Sequence, residues 1–345
     1  MEEYYSVEGE EELVIGQAEV WQLMHGYVDS MVIKRAVELG IPDIIHRNGG
    51  PISLSQLASG IDAPRVDSAY LVRIMRYLVR RQVFNEHNQH GKIGEETLYG
   101  LTRKSRWLLT DLDTNLNPMV LLQRPSPLPS SPGGFVKEGG PWDFASQNPQ
   151  LNNVYNHAMS CTAKLFMKAL LPQYRDGFSE SIKTLVDVGG GTGTALAEIV
   201  KVHPHINGIN LDLPHVVATA PDHAGVKHVE GDMFEDIPKA DAVLMQRVLH
   251  SWGDDYCVKI LRNCRKAMPE KGGKLILVEI VLKDDGSGSF GDVGLIFDML
   301  MLFYTLNGRE RTEAEWKAVL EKGGFPRYKI IEIPALVSVI EAYPE

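Results

Sequence analysis

The feature that most constrains the fold of this chain is a glycine-rich turn near its middle. Residues 183–193 read KTLVDVGGGTG, so four glycines follow an apolar run within five positions. Residues 185–188 have the composition of a strand, and residues 195–202 have helical spacing. Glycine lets a ligand approach the main chain, and the following helix presents unpaired N–H groups. This order predicts a nucleotide-type cofactor at the carboxyl edge of a parallel sheet, although such a turn can also be only a tight connection.

After this turn, short apolar runs alternate with helical patterns. Strands are predicted at residues 185–188, 208–211, 227–230, 242–245 and 275–282, and helices at 195–202, 215–220, 254–268 and 312–322. The alternation predicts an α/β domain with a mainly parallel, doubly wound, Rossmann-like sheet. Two late runs, residues 329–333 and 336–341, are separated only by Pro334 and Ala335. They are predicted to pair as an antiparallel hairpin at one edge.

The first third of the chain has a different, helical pattern. Residues 13–40 predict either two helices broken near His25-Gly26 or one bent helix, ended at Gly40-Ile-Pro42. Residues 53–58 predict a helix capped by Ser53, and residues 67–81 a longer one. Two β-like runs follow, at residues 83–84 and 99–101. Together they predict a winged-helix domain, whose arginines at 73, 76, 80 and 81 leave DNA contact open beside a dimerisation or substrate-covering role.

A stretch rich in proline, serine and glycine separates the two halves. Residues 125–134 read PSPLPSSPGG, which excludes regular structure. The predicted domains are therefore a winged-helix dimerisation domain at residues 1–122, a linker at 123–141 and a cofactor-binding domain at 142–345. A helix at residues 142–171, interrupted at Asn148-Pro149, leads into the second domain.

Charge and cysteine content limit the partners and the compartment. The net charge of −10 argues against a nucleic-acid binder. No apolar run approaches 18 residues, so we expect no membrane span, and the acidic N-terminus resembles neither a signal nor a transit peptide. The three cysteines are scattered, which favours a reducing compartment and a cytoplasmic location, with Cys257 and Cys264 as core residues.

Acidic residues follow the second and third predicted strands. Asp212 could bind the ribose hydroxyls of an adenosine-containing cofactor, while Asp232 could accept from the adenine amino group and Met233 could pack on the ring. Each acid could instead be only a helix cap. The glycine spacing does not fit the G-x-G-x-x-G/A dinucleotide fingerprint. A G-x-G-x-G turn with strand-end acids instead indicates S-adenosylmethionine, whose sulfonium suits acidic surroundings.

The fourth strand is followed by a candidate general base, His250. A histidine is largely neutral near pH 7 and can accept a phenol proton, although a capping role before Asp254 is also possible. Glu279 is an acid within an apolar strand, and Glu310 opens the next helix. As functional residues, both would flank His250, orient its ring and stabilise the imidazolium. The remaining histidines have no metal-ligand spacing, so we predict no metal site.

These motifs together resemble the plant small-molecule O-methyltransferases of the caffeic acid and isoflavone type. The matching stretches are LVDVGGGTG at residues 185–193, LDLPHV at 211–216, GDMF at 231–234, VLHSW at 248–252 and RERTE at 309–313. Further stretches, GQAEVW at 16–21, VDSM at 28–31, GIPDII at 40–45 and SVIEAYP at 338–344, most resemble the benzylisoquinoline alkaloid enzymes. Among those, the 7-O-methylating, reticuline-type members are the most similar.

The resemblance implies a homodimer formed through the winged-helix domain and metal-independent methyl transfer, with S-adenosylhomocysteine as the product. It implies that His250 is the base, with Glu279 and Glu310 beside it. It also implies that Gly189, Asp212, Asp232 and Met233 contact the cofactor.

Two departures from the family pattern concern the cofactor and the substrate. Gln246 stands where the family usually has a cofactor-contacting lysine, and Arg247 where an apolar or aromatic residue is common. The glutamine keeps a hydrogen-bond donor, so it remains a candidate cofactor contact, but it loses the charge. The family segment ending in F-x-x-A-H-G is absent between Leu122 and Trp142.

The sequence therefore predicts methylation of a benzylisoquinoline phenol. The alternatives are the same chemistry on a flavonoid or phenylpropanoid, and a weakly active or non-catalytic subunit that pairs with an active homologue as a heterodimer.

Overall fold

The chain forms two compact units, residues 1–126 and 127–345. The computed structural model describes residues 10–62, 68–87, 97–122, 146–283, 287–305 and 307–344. The predicted linker at residues 123–141 lies outside the described residues.

The first unit is mainly helical, with a small sheet. Its helices are α1 Glu10–Met24, α2 Tyr27–Glu38, α3 Ile41–Arg47, α4 Leu54–Gly60, α5 Ser68–Arg80 and α6 Asn117–Leu122; its strands are β1 Ile52–Ser53, β2 Phe84–His87 and β3 Leu98–Leu101. The strands are antiparallel in the order β1-β3-β2. The predicted break at His25-Gly26 and the Ser53 cap of α4 are confirmed, the latter as a capping box with Gln56.

Helix α3 was not predicted, because Gly40-Ile-Pro42 was interpreted only as the end of the preceding helix. Proline lacks the N–H that a first helical turn leaves unpaired anyway, so Pro42 is compatible with the start of α3. Ile41, Ile44 and Ile45 of this helix are buried in the core of the unit.

Helices α1 and α2 carry an apolar surface that is exposed in the described part of the chain. Its exposed large side chains are those of Val14, Ile15, Val20, Trp21, Leu23, Met24, Tyr27 and Met31. Exposed large apolar side chains in this number are typical of an interaction site.

The second unit is an α/β domain. Its helices are α7 Pro149–Gln173, α8 Thr194–Val202, α9 Pro214–Val217, α10 Asp254–Ala267, α11 Gly291–Tyr304 and α12 Glu313–Gly323. Its strands are β4 Thr184–Val188, β5 Asn207–Asp212, β6 Val226–Glu230, β7 Ala242–Gln246, β8 Lys274–Glu279, β9 Val281–Leu282, β10 Arg311–Thr312, β11 Arg327–Glu332 and β12 Ser338–Tyr343.

The seven-stranded sheet confirms the predicted architecture. Its order is β11-β12-β8-β7-β4-β5-β6. The pairs β4–β5, β5–β6, β4–β7 and β7–β8 are parallel, and the late hairpin β11–β12 is antiparallel at one edge. The strand order reverses at β4, which has β5 on one side and β7 on the other. Ligands of open α/β sheets bind in the crevice at the carboxyl ends of the strands at such a reversal.

Both faces of this sheet are covered by apolar residues. Cys257 and Cys264 of α10 are fully buried on one face with Trp316, which confirms them as core residues. Phe166 and Met167 of α7 lie in the cluster on the other face. Within the part of the chain that the structure describes, no helix combines the length and apolar character that a membrane crossing needs.

One prediction in this unit was wrong, and one helix was not predicted. The strand predicted at residues 275–282 ends at Glu279 and resumes as β9, which pairs with β10. Ile280 leaves the main sheet, and its carbonyl oxygen accepts a hydrogen bond from Trp316 Nε1 at 3.1 Å. Helix α11 was missed, because apolar residues surround its axis and give no one-sided periodicity.

Candidate active site

The glycine turn joins β4 to α8 at the point where the strand order reverses. Gly191 has a φ of +60°, a left-handed conformation that side-chain-bearing residues rarely adopt. Gly190 is required for a different reason: a Cβ there would lie 2.2 Å from Asn210 Oδ1 and 2.6 Å from Asp187 Oδ2. The turn therefore packs directly on polar side chains of β4 and β5, with the main chain at the crevice.

Asp212, at the end of β5, holds this turn in place. Its Oδ2 accepts a hydrogen bond from Gly191 N at 2.7 Å, and its Oδ1 accepts one from Leu213 N at 2.7 Å. Burial raises the pKa of the Asp212 carboxyl, while the two backbone N–H groups oppose that rise. Asp212, which the sequence predicts to bind the ribose, thus also holds the backbone of the glycine turn.

Asp187 lies beneath the turn and is fully buried. Neither of its carboxylate oxygens has a hydrogen-bond partner among the described residues, and the same holds for Asn210 Oδ1 and Gln246 Oε1. Burial and the charge of Asp212 raise the pKa of Asp187 to about 8. The carboxyl ends of β5 and β7 therefore carry unpartnered acceptor oxygens on Asn210 and Gln246, which match a ligand that carries amino groups, while the buried Asp187 carboxyl holds its proton near neutral pH.

Residues 231–234 form a tight turn after β6. Asp232 is exposed, and its Oδ1 accepts a hydrogen bond from Phe234 N at 2.8 Å. Gly231 N donates to Asp212 O at 3.0 Å, so the ends of β5 and β6 are adjacent. Met233 is partly buried, and its carbonyl accepts from Asn263 Nδ2 at 3.0 Å. This turn brings Asp232 and Met233 to the same edge as Asp212.

The segment after β7 brings His250 close to the glycine turn. A Cβ on Gly189 would lie 3.0 Å from Val248 Cγ2, so the two segments are in contact range. His250 lies in a short 3-10 turn, Leu249–Ser251, and its side chain is 11% exposed. Its carbonyl oxygen accepts from Arg309 N at 2.8 Å, which connects this turn to the loop that carries Glu310.

Glu310 lies beside the imidazole, as predicted. Its Oε1 is 3.3 Å from His250 Nδ1. Burial opposes ionisation of this carboxyl, but the Arg247 guanidinium and His250 outweigh it and lower the pKa of Glu310 to about 2. Asp298 of α11 accepts from Glu310 N at 3.0 Å and fixes its backbone.

The prediction that Glu279 flanks His250 requires correction. Glu279 Oε1 accepts from Val248 N and Leu249 N, each at 2.9 Å, and its Oε2 is 3.2 Å from Arg247 Nη1. Among the described contacts, it therefore supports the backbone that presents the ring and does not touch the imidazole. The two unpaired N–H groups at the start of the 3-10 turn need an acceptor there.

Arg247 is the residue of this site that sequence reasoning did not assign. Its Nη2 and Nη1 bind Glu310 Oε1 and Oε2 at 2.7 and 2.9 Å, and Nη2 is also 2.8 Å from His250 Nδ1. Its guanidinium lies 5.4 Å from the centre of the Phe297 ring. The available signal was its charge at a position where the family commonly has an apolar or aromatic residue.

Arg311 stabilises the loop behind this cluster. It is fully buried, and its Nη2 donates to Trp252 O at 2.9 Å and to Asp254 Oδ1 at 2.8 Å. Within the described ranges, no group of three or more histidines, cysteines, aspartates or glutamates could hold a metal ion. The geometry thus offers a buried histidine with an acidic partner, next to an acceptor-lined cofactor crevice.

Comparison with known proteins identifies the two units. Residues 134–326 match the O-methyltransferase domain family, and residues 21–111 match the O-methyltransferase dimerisation domain. The chain is 48% identical to (R,S)-reticuline 7-O-methyltransferase of Papaver somniferum, over 97% of this chain and 99% of the relative. It is 50% identical to xanthohumol 4-O-methyltransferase of Humulus lupulus, over 96% of each chain.

Solved structures agree with the fold. Human N-acetylserotonin methyltransferase, in complex with S-adenosylmethionine, superposes with a TM-score of 0.81 at 21% identity, over 98% of this chain and 99% of that protein.

Proposed function

The chain belongs to the S-adenosylmethionine-dependent O-methyltransferase family, and we propose that its acceptor is a phenolic hydroxyl of a benzylisoquinoline alkaloid. It methylates phenolic groups. The 48% identity to a reticuline 7-O-methyltransferase over nearly the whole chain supports the finer proposal. A flavonoid-type phenol is the second candidate, because the xanthohumol 4-O-methyltransferase is 50% identical.

The observation that carries the mechanism is the contact of His250 Nδ1 with the ionised Glu310 carboxylate at 3.3 Å. In the proposed reaction the phenol O–H proton passes to His250 Nε2, and Glu310 stabilises the imidazolium through Nδ1–H. Glu279 keeps the ring in place through the backbone of Val248 and Leu249. General-base assistance of this kind contributes about 10²–10⁴-fold.

S-adenosylmethionine supplies an electrophilic methyl group on a positively charged sulfur. The residues proposed to hold it are Gly189, Asp212, Asp232, Met233 and Gln246. The unpartnered acceptor oxygens of Asn210 and Gln246 support the fit, because the cofactor carries amino groups.

We also propose that the active form is a homodimer and that the enzyme acts in the cytoplasm. The uncovered apolar surface of α1 and α2 and the match to a dimerisation domain support the dimer. The three free cysteines support a reducing compartment.

Substituting His250 by alanine tests the mechanism. We expect turnover to fall about 10²–10⁴-fold, while S-adenosylhomocysteine affinity measured by calorimetry stays unchanged. His205→Ala is the matched control, since His205 precedes β5, at the end of the sheet opposite the site. Its ring nitrogens bind Ser179 O and Glu180, and its ring packs against that of His203. Unchanged turnover in the His250 variant would exclude the proposed base.

A panel of benzylisoquinoline, flavonoid and phenylpropanoid phenols with labelled cofactor separates the substrate classes. Preference for reticuline-type phenols supports the proposal, and preference for a flavonoid-type phenol selects the second candidate. A purified dimer that binds S-adenosylhomocysteine but methylates nothing in the panel would instead indicate a non-catalytic subunit that pairs with an active homologue.

A further inference from the structure

The Nδ1 atom of His250 has two neighbours of opposite hydrogen-bonding character. Arg247 Nη2 lies at 2.8 Å and can only donate, because a guanidinium stays protonated. Glu310 Oε1 lies at 3.3 Å and can only accept, because its carboxyl is ionised. A neutral imidazole cannot satisfy both, since Nδ1 carries either a lone pair or a proton.

The shorter of the two contacts is the one to Arg247. We propose that Arg247 is a positioning residue that holds neutral His250 with its proton on Nε2, so that the ring donates a hydrogen bond toward the acceptor oxygen. This inference rests on the proposed function, in which His250 faces that oxygen. It adds one step to that mechanism: the ring proton must move from Nε2 to Nδ1 before Nε2 can accept the proton of a neutral phenol. It assigns to Arg247 a role in choosing between ionised and neutral phenols.

The surrounding charges keep Arg247 in this position. Its guanidinium binds Glu310 through both terminal nitrogens and Glu279 through Nη1, and its side chain is only 12% exposed. Behind the ring, Arg311 Nη1 donates to Leu249 O at 3.3 Å, and Asp298 binds Glu310 N. The contacts of Arg311 and Asp298 do not involve Nδ1, so Arg247 and Glu310 remain its two neighbours.

The left-handed backbone of Arg247 is further evidence that its position is specified. Its φ is +55°, a conformation that costs about 1–3 kcal/mol for a residue with a side chain and persists only where the surroundings enforce it. Arg247 N donates to Val278 O at 3.0 Å, which anchors the strained residue to β8.

The two proton positions have different consequences for the acceptor. With the proton on Nε2, the ring stabilises a phenolate oxygen, which attacks the methyl group with no proton to remove. A neutral phenol needs Nε2 as the acceptor of its proton, so the ring must first carry its own proton on Nδ1. When the ring proton moves to Nδ1, this atom must stop accepting a hydrogen bond from Arg247 and donate one to Glu310. The enzyme should therefore prefer the more acidic hydroxyl among otherwise similar acceptors.

Selective ¹⁵N-histidine NMR of the full-length protein tests the proton position without turnover. His250→Gln assigns the resonances. We expect neutral His250 of the wild type to show a protonated Nε2 and an unprotonated Nδ1. A protonated Nδ1 in the neutral ring would overturn the proposal.

The matched variant is Arg247→Met combined with Glu279→Gln. The pair removes one positive and one negative charge, and the glutamine oxygen can still accept from Val248 N and Leu249 N. Glu310 is then the remaining Nδ1 partner, so we expect the proton on Nδ1. If it stays on Nε2, Arg247 is not the cause and the proposal fails. Should this variant not fold, the wild-type spectrum alone decides.

Kinetics with ring-substituted derivatives of one accepted phenol, at a single pH, give a second readout. A charge-assisted hydrogen bond shifts the equilibrium between the two neutral tautomers of His250 by about tenfold or more. The ratio of kcat/KM between a more acidic and a less acidic derivative should be larger in the wild type by about this factor. Equal ratios in both proteins would contradict the inference. A wild type that methylates no phenol yet shows protonated Nε2 would refute the proposed function alone.

Discussion

Replacing Asp187 by asparagine should stabilise the cofactor-free protein increasingly as the pH rises. Asp187 is fully buried beneath the glycine turn, and neither carboxylate oxygen has a hydrogen-bond partner among the described residues. Burial, together with the charge of Asp212, raises the pKa of Asp187 from 3.8 to about 8. The folded protein thus binds a proton that the unfolded chain releases.

The sign and size of the effect follow from proton linkage. A raised folded-state pKa gives a contribution to stability that is fully present below pH 3.8 and is lost as the pH rises through about 8. Each unit of pKa corresponds to about 1.4 kcal/mol, so the loss between about pH 5 and about pH 8 is at most about 4 kcal/mol. Asparagine has a similar shape and stays neutral, so the variant does not suffer this loss.

Urea denaturation of the full-length chain across this pH range measures the effect. The free energy of unfolding of Asp187→Asn, relative to wild type, should increase by at least about 1.4 kcal/mol from about pH 5 to about pH 8. Asp232→Asn is the control, because it changes an exposed carboxylate at the same edge of the sheet. A relative stability that is flat with pH, or that follows the control, would refute the reasoning.

Four further substitutions test the packing of the second unit. Gly190→Ala should weaken S-adenosylhomocysteine binding measured by calorimetry, since its Cβ would lie 2.2 Å from Asn210 Oδ1; Gly191→Ala, with open space but a φ of +60°, should cost only about 1 kcal/mol of stability. Glu341→Gln should lower the unfolding free energy by about 2 kcal/mol at neutral pH. Burial opposes ionisation of Glu341, but its lysine and tyrosine partners outweigh burial and lower its pKa to about 2. The stability difference between wild type and Glu341→Gln, measured by urea titration, should therefore vanish as the pH falls from 4.5 through about 2. Thr312→Ala removes the cap of α12 and should cost about 1 kcal/mol in the same assay.

The order of strands and helices could be predicted because local patterns determine it. The alternation after residue 183 and the two-residue gap before the last strand predicted the parallel sheet and its edge hairpin. Helix α11 could not be predicted in this way. Leu295, Ile296 and Met299 are exposed in this chain, so the apolar residues of α11 do not form one buried stripe. What such a helix contacts depends on surfaces outside its own sequence.

Some residues of the candidate site could likewise be predicted from local patterns, and others could not. Asp212 and Asp232 could be predicted because they follow strands whose carboxyl ends meet at one edge. Glu279 was predicted as a neighbour of the ring, but its place depends on two backbone N–H groups 30 and 31 residues away in sequence. Arg247 likewise meets its partner Glu310 across 63 residues. Contacts of this kind follow from tertiary packing, which no local pattern reports.

Gln246 and Arg247, the two departures from the family pattern at the end of β7, belong to different parts of the proposed site. The family resemblance implies a lysine at 246, where this chain has an uncharged glutamine whose buried Oε1 has no partner among the described residues. The positive charge stands one residue later, on Arg247, which binds Glu310 and contacts His250. Relative to the family pattern, this chain lacks a positive charge at position 246, next to the proposed cofactor, and has one at position 247, next to His250. Since the cofactor is cationic, a lysine at 246 would repel it, whereas Gln246 offers a hydrogen-bond acceptor. The positive charge of Arg247 partly neutralises the buried Glu279 and Glu310. We therefore expect Gln246 to affect cofactor affinity and Arg247 to affect the choice of acceptor, as two separable properties.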